Sequence, residues 1–289
     1  MGALTSPIKQ DREEITMPEL PDIVVLARSM NEALCGRVIR EVVVNQPKCL
    51  NIAPDELGRR LAGRRFESFE QRGKWILARL DDGSTLAFNL GMGGEMVLHR
   101  SDEIPDPARE RVVLRFADGE QLWIHHWWFG HVHYIPPGEV EQHPQIGRLG
   151  IEPLNDEFTV ERLANMLAGK RGRIKSYLLD QSFIAGIGNV YVQDTLWLAR
   201  LHPERRANTL SDDEIAALHR AIRHVLRTGI EAGGGPGEKD VYGQPGRYDT
   251  RLQVGYRTGK PCPDCGTIIE ELRVGQTTSY ICPHCQPLV

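Results

Sequence analysis

Apolar residues recur at Ile23, Leu26, Ala27, Met30 and Leu34, a spacing of three and four that lays one stripe along a helix. Pro21 and Asp22 suit its first turn, and Gly36 stops it. The period then changes. Residues 37–135 read as strands, with short β-branched or aromatic runs over 38–44, 66–69, 75–80, 86–90, 112–116 and 121–125. Asp81-Asp82-Gly83-Ser84 and Ala117-Asp118-Gly119-Glu120 read as hairpin turns between them. Short strands joined this way predict an antiparallel sandwich or barrel, with the helix packed at one end.

Residues 136–157 are rich in proline, glycine and acids and read as a linker. Helical periodicity returns after it. Thr159 caps a helix running to Leu167, and Ser211 with Glu214 forms a capping box for a longer one. Ile215, Leu218, Ile222, Val225 and Leu226 mark the buried face of that longer helix. Residues 233–250 are glycine-rich and read as a mobile loop. Residues 1–16 are polar and without period, so residues 1–17 are expected to be a disordered leader or absent from the mature protein.

Composition changes this picture little. The chain has 289 residues, 40% hydrophobic and 26% charged, which suits two domains or one large one. No run approaches 18 apolar residues, the length a membrane helix needs. A net charge of −4 argues mildly against a nucleic-acid binder but says nothing about a local patch. Cysteine is more informative. Cys262-x2-Cys265 and Cys282-x2-Cys285 are separated by sixteen residues, the pattern of a zinc ribbon with four thiolates closing one structural site. Cys35 and Cys49 stand apart, which suits a reducing cytosol better than a disulfide framework.

Three stretches carry candidate chemistry. Pro18 lies between Met17 and Glu19. As a mature N-terminus it would be a secondary amine, about 15% neutral at pH 7 against about 0.04% for a lysine, and could attack a sugar aldehyde carbon. Within a longer chain it is only a helix opener. Gly186-Ile187-Gly188-Asn189 precedes a helix and offers backbone N–H groups to an anion. Just upstream, Lys170, Arg171, Arg173 and Lys175 form either a solvated basic face or a phosphate-binding one. His125, His126, His131 and His133 invite a metal reading, but no carboxylate accompanies them at ligand spacing.

Taken in order, Pro18-Glu19-Leu20-Pro21, a β-rich half, Gly186-Ile187-Gly188-Asn189 and the terminal four-cysteine ribbon resemble the formamidopyrimidine-DNA glycosylase/endonuclease VIII family from Met17 to about Gln286. The resemblance implies an α+β protein. An N-terminal helix with an antiparallel β-sandwich would span 18–136 and a linker 137–157. A helix-two-turn-helix domain would span 158–235, a flexible loop 236–253 and the zinc ribbon 254–287. It implies a bifunctional DNA glycosylase and abasic-site lyase of base-excision repair, a monomer in the cytoplasm at the nucleoid. Such an enzyme flips a damaged base out of duplex DNA. The alternative is a catalytically weak relative that binds damage without excising it. On this likeness Pro18 is the nucleophile, Glu19 the acid at the sugar ring oxygen, and Lys74 and Asn189 contact phosphates flanking the lesion. Arg173 and Lys175 bind DNA, while Met92 and Phe129 fill the stack. Asp22 and Asp194 stand where glutamate is usual.

Three departures bear on specificity. The family segment Asp-Pro-Arg-Arg-Phe-Gly is here His125-His126-Trp127-Trp128-Phe129-Gly130, so Trp127 replaces the arginine that reads the orphaned base. An indole cannot make that bidentate contact, and weak preference for the opposite base is expected. In the ribbon hairpin, Thr278 takes the place of a phosphate-binding arginine. The loop from Asp240 to Leu252 looks shortened, so oxoguanine is not the first expected lesion.

Overall fold

The computed structural model describes residues 17–288, so the expected leader lies outside them apart from Met17. Helix α1 (Leu20–Leu34) opens the fold, and its five stripe residues are each at most 4% exposed. The chain then forms β1 (Ile39–Val44), α2 (Pro54–Leu61), β2 (Phe66–Arg72), β3 (Trp75–Leu80) and β4 (Thr85–Asn89). It continues through β5 (Glu95–His99), β6 (Val112–Phe116), β7 (Gln121–His125) and β8 (His131–Ile135). These make two four-stranded antiparallel sheets, ordered β1-β6-β7-β5 and β2-β3-β4-β8. Their inner faces share one core with α1, built from residues such as Met30, Phe66, Phe88, Met96 and Phe116.

The hairpin turns predicted at 81–84 and 117–120 are present, with Gly83 and Gly119 at positive φ. One correction applies here. Residues 54–61, read as part of a strand region, form α2, because Pro54 starts a turn whose Leu57 and Leu61 are fully buried. The predicted linker packs on the sandwich. It turns twice, at Val140–Gln142 and Ile146–Arg148, and fully buried Ile146 covers the outer face of the second sheet beside Trp75, Ala87 and Ile135.

The second half holds α3 (Val160–Leu167), α4 (Ile174–Leu179), α5 (Tyr191–Leu198) and α6 (Asp212–Glu231) around its own core. Thr159 Oγ1 accepts the Arg162 N–H at 3.0 Å, and Ser211 and Glu214 exchange the two bonds of a capping box. Helix α6 packs on α1, α3 and α5, joining the two halves. The hairpin β9 (Glu270–Val274) and β10 (Thr277–Ile281) lies between the cysteine pairs. This is the α+β order expected from the sequence.

The loop expected to be flexible, 236–253, is packed at two points. Val241 is fully buried in the sandwich core, and Tyr248, 2% exposed, belongs to the helical core. No helix among the described residues is long and apolar enough to cross a membrane.

Candidate active site

Glu19 caps α1, and its backbone N–H donates to the Asp22 carboxylate at 2.6 Å. Asp22 also accepts from the Tyr191 hydroxyl at 3.0 Å and the Gly235 N–H at 2.7 Å, so three segments meet on one buried acid. The Glu19 side chain points the other way, into the N-terminus of α5. It accepts the N–H groups of Gly188 and Val190 at 2.8 Å each and of Tyr191 at 3.3 Å. The backbone donors that read as an anion site thus hold a carboxyl group from the protein itself. A Cβ on Gly188 would lie 2.3 Å from Glu19 Oε1 and 2.6 Å from Lys74 Nζ, so only glycine fits there.

Burial dominates the chemistry of this carboxyl. Glu19 is 3% exposed, and desolvation raises its pKa to about 7, with Lys74 and the Val190 N–H pulling back. At neutral pH a large fraction carries a proton, as a general acid requires. Tyr191 is held well above the ordinary phenol range by burial and by Asp22, so it remains a donor.

Lys74 stands on the β2–β3 turn, and a residue that sequence reading missed fixes that turn. Glu152 accepts the Gly73 N–H at 2.6 Å, Arg72 Nη1 at 2.8 Å and Gln71 Nε2 at 2.9 Å. On the other side, Asn89 Nδ2 donates to the Lys74 carbonyl at 3.0 Å, while its Oδ1 accepts the Gly91 N–H. The lysine is therefore held from the interdomain segment and from the strand leading to Met92.

These groups line a cavity of about 480 Å³, walled by Met17, Glu19, Lys74, Gly188, Asn189, Tyr256 and Thr277 among others. Pro18 is buried immediately behind Met17. Tyr256, at φ +57° and 5.0 Å from the Tyr280 ring, is a wall residue without a sequence signal. The hairpin residue in the wall is Thr277, and the carbonyl of its neighbour Thr278 faces inward to Lys175 and Gln193.

Lys175 requires a correction as a DNA contact. It is 1% exposed, and its Nζ donates to the Thr278 carbonyl at 2.6 Å and to Ser279 Oγ at 2.7 Å. Burial lowers its pKa to about 8. The side chain ties α4 to the hairpin. Arg173 is on the surface, paired with Glu204 at 3.1 Å. Asp194 accepts the N–H groups of Gln253, Val254 and Gly255 and the Tyr248 hydroxyl, pinning the segment that leads to Tyr256.

A separate feature lies at the β4–β5 and β7–β8 ends. Met92 and Trp127–Trp128 exchange backbone bonds of 2.9 and 3.0 Å. The loop displays Trp127 at 49%, Trp128 at 56% and Phe129 at 73% exposure, with Phe129 at φ +60°. Three adjacent exposed aromatics form a stacking surface. Behind them, His126 is buried with both ring nitrogens unpartnered, and burial lowers its pKa to about 4. His133 Nδ1 meets His143 Nε2 at 2.9 Å beside Trp75.

Among the described residues only the four cysteines gather in metal-ligand geometry, their Sγ atoms all within 4.8 Å of one another. Separations of 3.4, 3.5 and 3.9 Å are close to the roughly 3.8 Å edge of a tetrahedron with Zn–S bonds of about 2.3 Å. The donor set fits one structural zinc.

Sequence models for the formamidopyrimidine-DNA glycosylase N-terminal domain, the formamidopyrimidine-DNA glycosylase H2TH domain and the zinc finger found in FPG and IleRS match residues 17–127, 149–239 and 259–288. The formamidopyrimidine-DNA glycosylase of Chloroflexus aggregans is 40% identical over 283 residues, spanning 94% of this chain and 100% of that protein. The chain belongs to the formamidopyrimidine-DNA glycosylase family. Its relative from Pelotomaculum thermopropionicum is also 40% identical, over 93% of this chain and 99% of that one. Among solved members of the family, Lactococcus lactis Fpg in complex with DNA containing an abasic site superposes with a TM-score of 0.87 at 29% identity, covering 93% and 99% of the two chains. The same protein with FAPY-dG-containing DNA gives 0.87 and 29%, covering 93% and 100%.

Proposed function

We propose that the chain is a bifunctional glycosylase and abasic-site lyase that removes formamidopyrimidine-type lesions from duplex DNA. The observation that carries this reading is Glu19, a buried carboxyl near pKa 7 in the cavity wall, one residue from Pro18 and facing Lys74. Pro18 nitrogen attacks the anomeric carbon as the bond to the damaged base breaks, and the base leaves with the electron pair and takes up a proton. Glu19 gives its proton to the sugar ring oxygen, the ring opens, and an iminium joins Pro18 to the carbon. Loss of a proton from the neighbouring carbon then expels the 3′ phosphate and nicks the strand. Lys74 and Asn189, on opposite domains, bind the phosphates flanking the lesion, and Arg173 adds a surface contact. Met92, Trp127 and Phe129 refill the stack.

This chemistry needs Pro18 nitrogen as an amine. With any residue before it, the nitrogen is a tertiary amide whose lone pair is delocalised. The N-terminal domain match begins at Met17, and Met17 lines the cavity, which supports a start at Pro18 after its removal. The enzyme starts at Pro18 in this reading. In this reading the enzyme acts as a monomer on nucleoid DNA in the cytoplasm. The test is a duplex carrying one formamidopyrimidine-guanine, incubated with protein starting at Pro18. Released base and a nicked strand are expected; binding without release would leave only a damage-binding role.

A further inference from the structure

The Gln193 carboxamide, on α5, is 2% exposed and spends both ends on two different parts of the molecule. Its Nε2 lies 2.8 Å from the Asn189 carbonyl, 3.0 Å from Asn189 Oδ1 and 3.1 Å from the Thr278 carbonyl. Its Oε1 accepts the Tyr280 N–H at 3.1 Å. One side chain therefore bridges the asparagine in the cavity wall and the inner edge of β10. The same Thr278 carbonyl takes the Lys175 ammonium, which fixes the strand from below.

The consequence for Asn189 is geometric. A carboxamide has one accepting end and one donating end. Gln193 donates to Oδ1, so Nδ2 of Asn189 is directed away from Gln193, and Asn189 borders the cavity. Without this bond the Asn189 side chain is free to turn its oxygen to an approaching phosphate, which repels, or to leave the cavity altogether. We infer that Gln193 is a positioning residue that locks the Asn189 amide with its donor end toward the DNA phosphate and couples that grip to the ribbon hairpin. The inference rests on the phosphate-binding role of Asn189 proposed above.

The network also couples Asn189 to the hairpin. Gln193 can hold Asn189 in this orientation only while the Tyr280 N–H and the Thr278 carbonyl hold Gln193. Displacing β10 releases the glutamine, and through it the asparagine.

Gln193→Met keeps length and apolar packing but removes every one of these hydrogen bonds. Equilibrium binding to a duplex carrying one tetrahydrofuran abasic analogue is measured for wild type, Gln193→Met, Asn189→Ala and the double variant, with melting temperature recorded for each. Expected is a loss of about tenfold or more for Gln193→Met, the worth of one hydrogen bond to a charged group. In the Asn189→Ala background Gln193→Met should add less than twofold. Gln193→Glu offers a second readout. Its carboxylate would face the carbonyls, so binding should be weak at pH 8 and recover relative to wild type as the acid protonates at lower pH. An equal loss in both backgrounds, or wild-type binding by Gln193→Met, overturns the inference while leaving the role of Asn189 intact. Wild-type binding by Asn189→Ala overturns both.

Discussion

The carboxylate of Glu19 accepts the Gly188 N–H at 2.8 Å, so the acid of one domain is held by the helix N-terminus of the other. A methyl group at position 188 would lie 2.3 Å from Glu19 Oε1, nearer than any real contact. Gly188→Ala should therefore lower base excision at least 100-fold by expelling the carboxylate from its donors. Melting temperature should fall only modestly, because the cavity gives the side chain somewhere to go. Excision kinetics and a thermal melt on the same sample check both halves.

The raised pKa of Glu19 has two pH consequences. Excision should decline on the alkaline side as Glu19 ionises through about 7. Stability follows the same sign. Because the folded pKa lies above the ordinary 4.5, ionisation favours the unfolded chain, and stability falls as pH rises from about 4.5 to about 7. The contribution is roughly 3 kcal/mol across that window, at about 1.36 kcal/mol per pH unit. Glu19→Gln should flatten the denaturation profile over this range and reduce excision about 10²–10⁴-fold; an unchanged slope would exclude Glu19 as the titrating group.

Trp127 offers an exposed aromatic face at the position to which the family resemblance assigns an arginine. A bidentate base contact is worth about 1–3 kcal/mol of discrimination, and stacking supplies none of it. Excision rates with each of the four bases opposite the lesion should agree within about threefold. A strong cytosine preference would mean that another group reads the partner base.

Arg173 and Lys175 should separate cleanly. Arg173→Ala is expected to reduce the slope of log affinity against log salt by about 0.9, the value for one phosphate contact. Lys175→Met should leave that slope unchanged and lower the melting temperature instead, because its ammonium is bonded to the hairpin at 2.6 and 2.7 Å. Equal slopes for both variants and wild type would remove Arg173 from the interface.

Features with local causes were legible in the sequence. The α1 stripe, the Ser211 capping box, the two glycine turns and the cysteine spacing each depend on residues within a turn or two. What escaped depends on long-range meetings. Glu152 reaches Gly73 across 79 residues, and no local pattern marks it. Four clustered positive charges look alike in sequence, and only the position of β10 decides that Lys175 is the one enclosed. In the hairpin Thr277 lines the cavity and its neighbour Thr278 does not, because successive residues of a strand face opposite ways. Glycine-rich composition at 233–250 read as mobility. In the fold, Gly246 packs so close to Gly234 that a Cβ would lie 2.4 Å from its carbonyl carbon.

The central claim is that the Pro18 amine forms the bond to DNA, and borohydride trapping tests it most directly. Protein starting at Pro18, mixed with an abasic-site duplex and reduced, should give one covalent adduct. The 289-residue chain, in which that nitrogen is an amide, should give none. An adduct of equal yield from the full chain, or none from the chain starting at Pro18, would contradict the account.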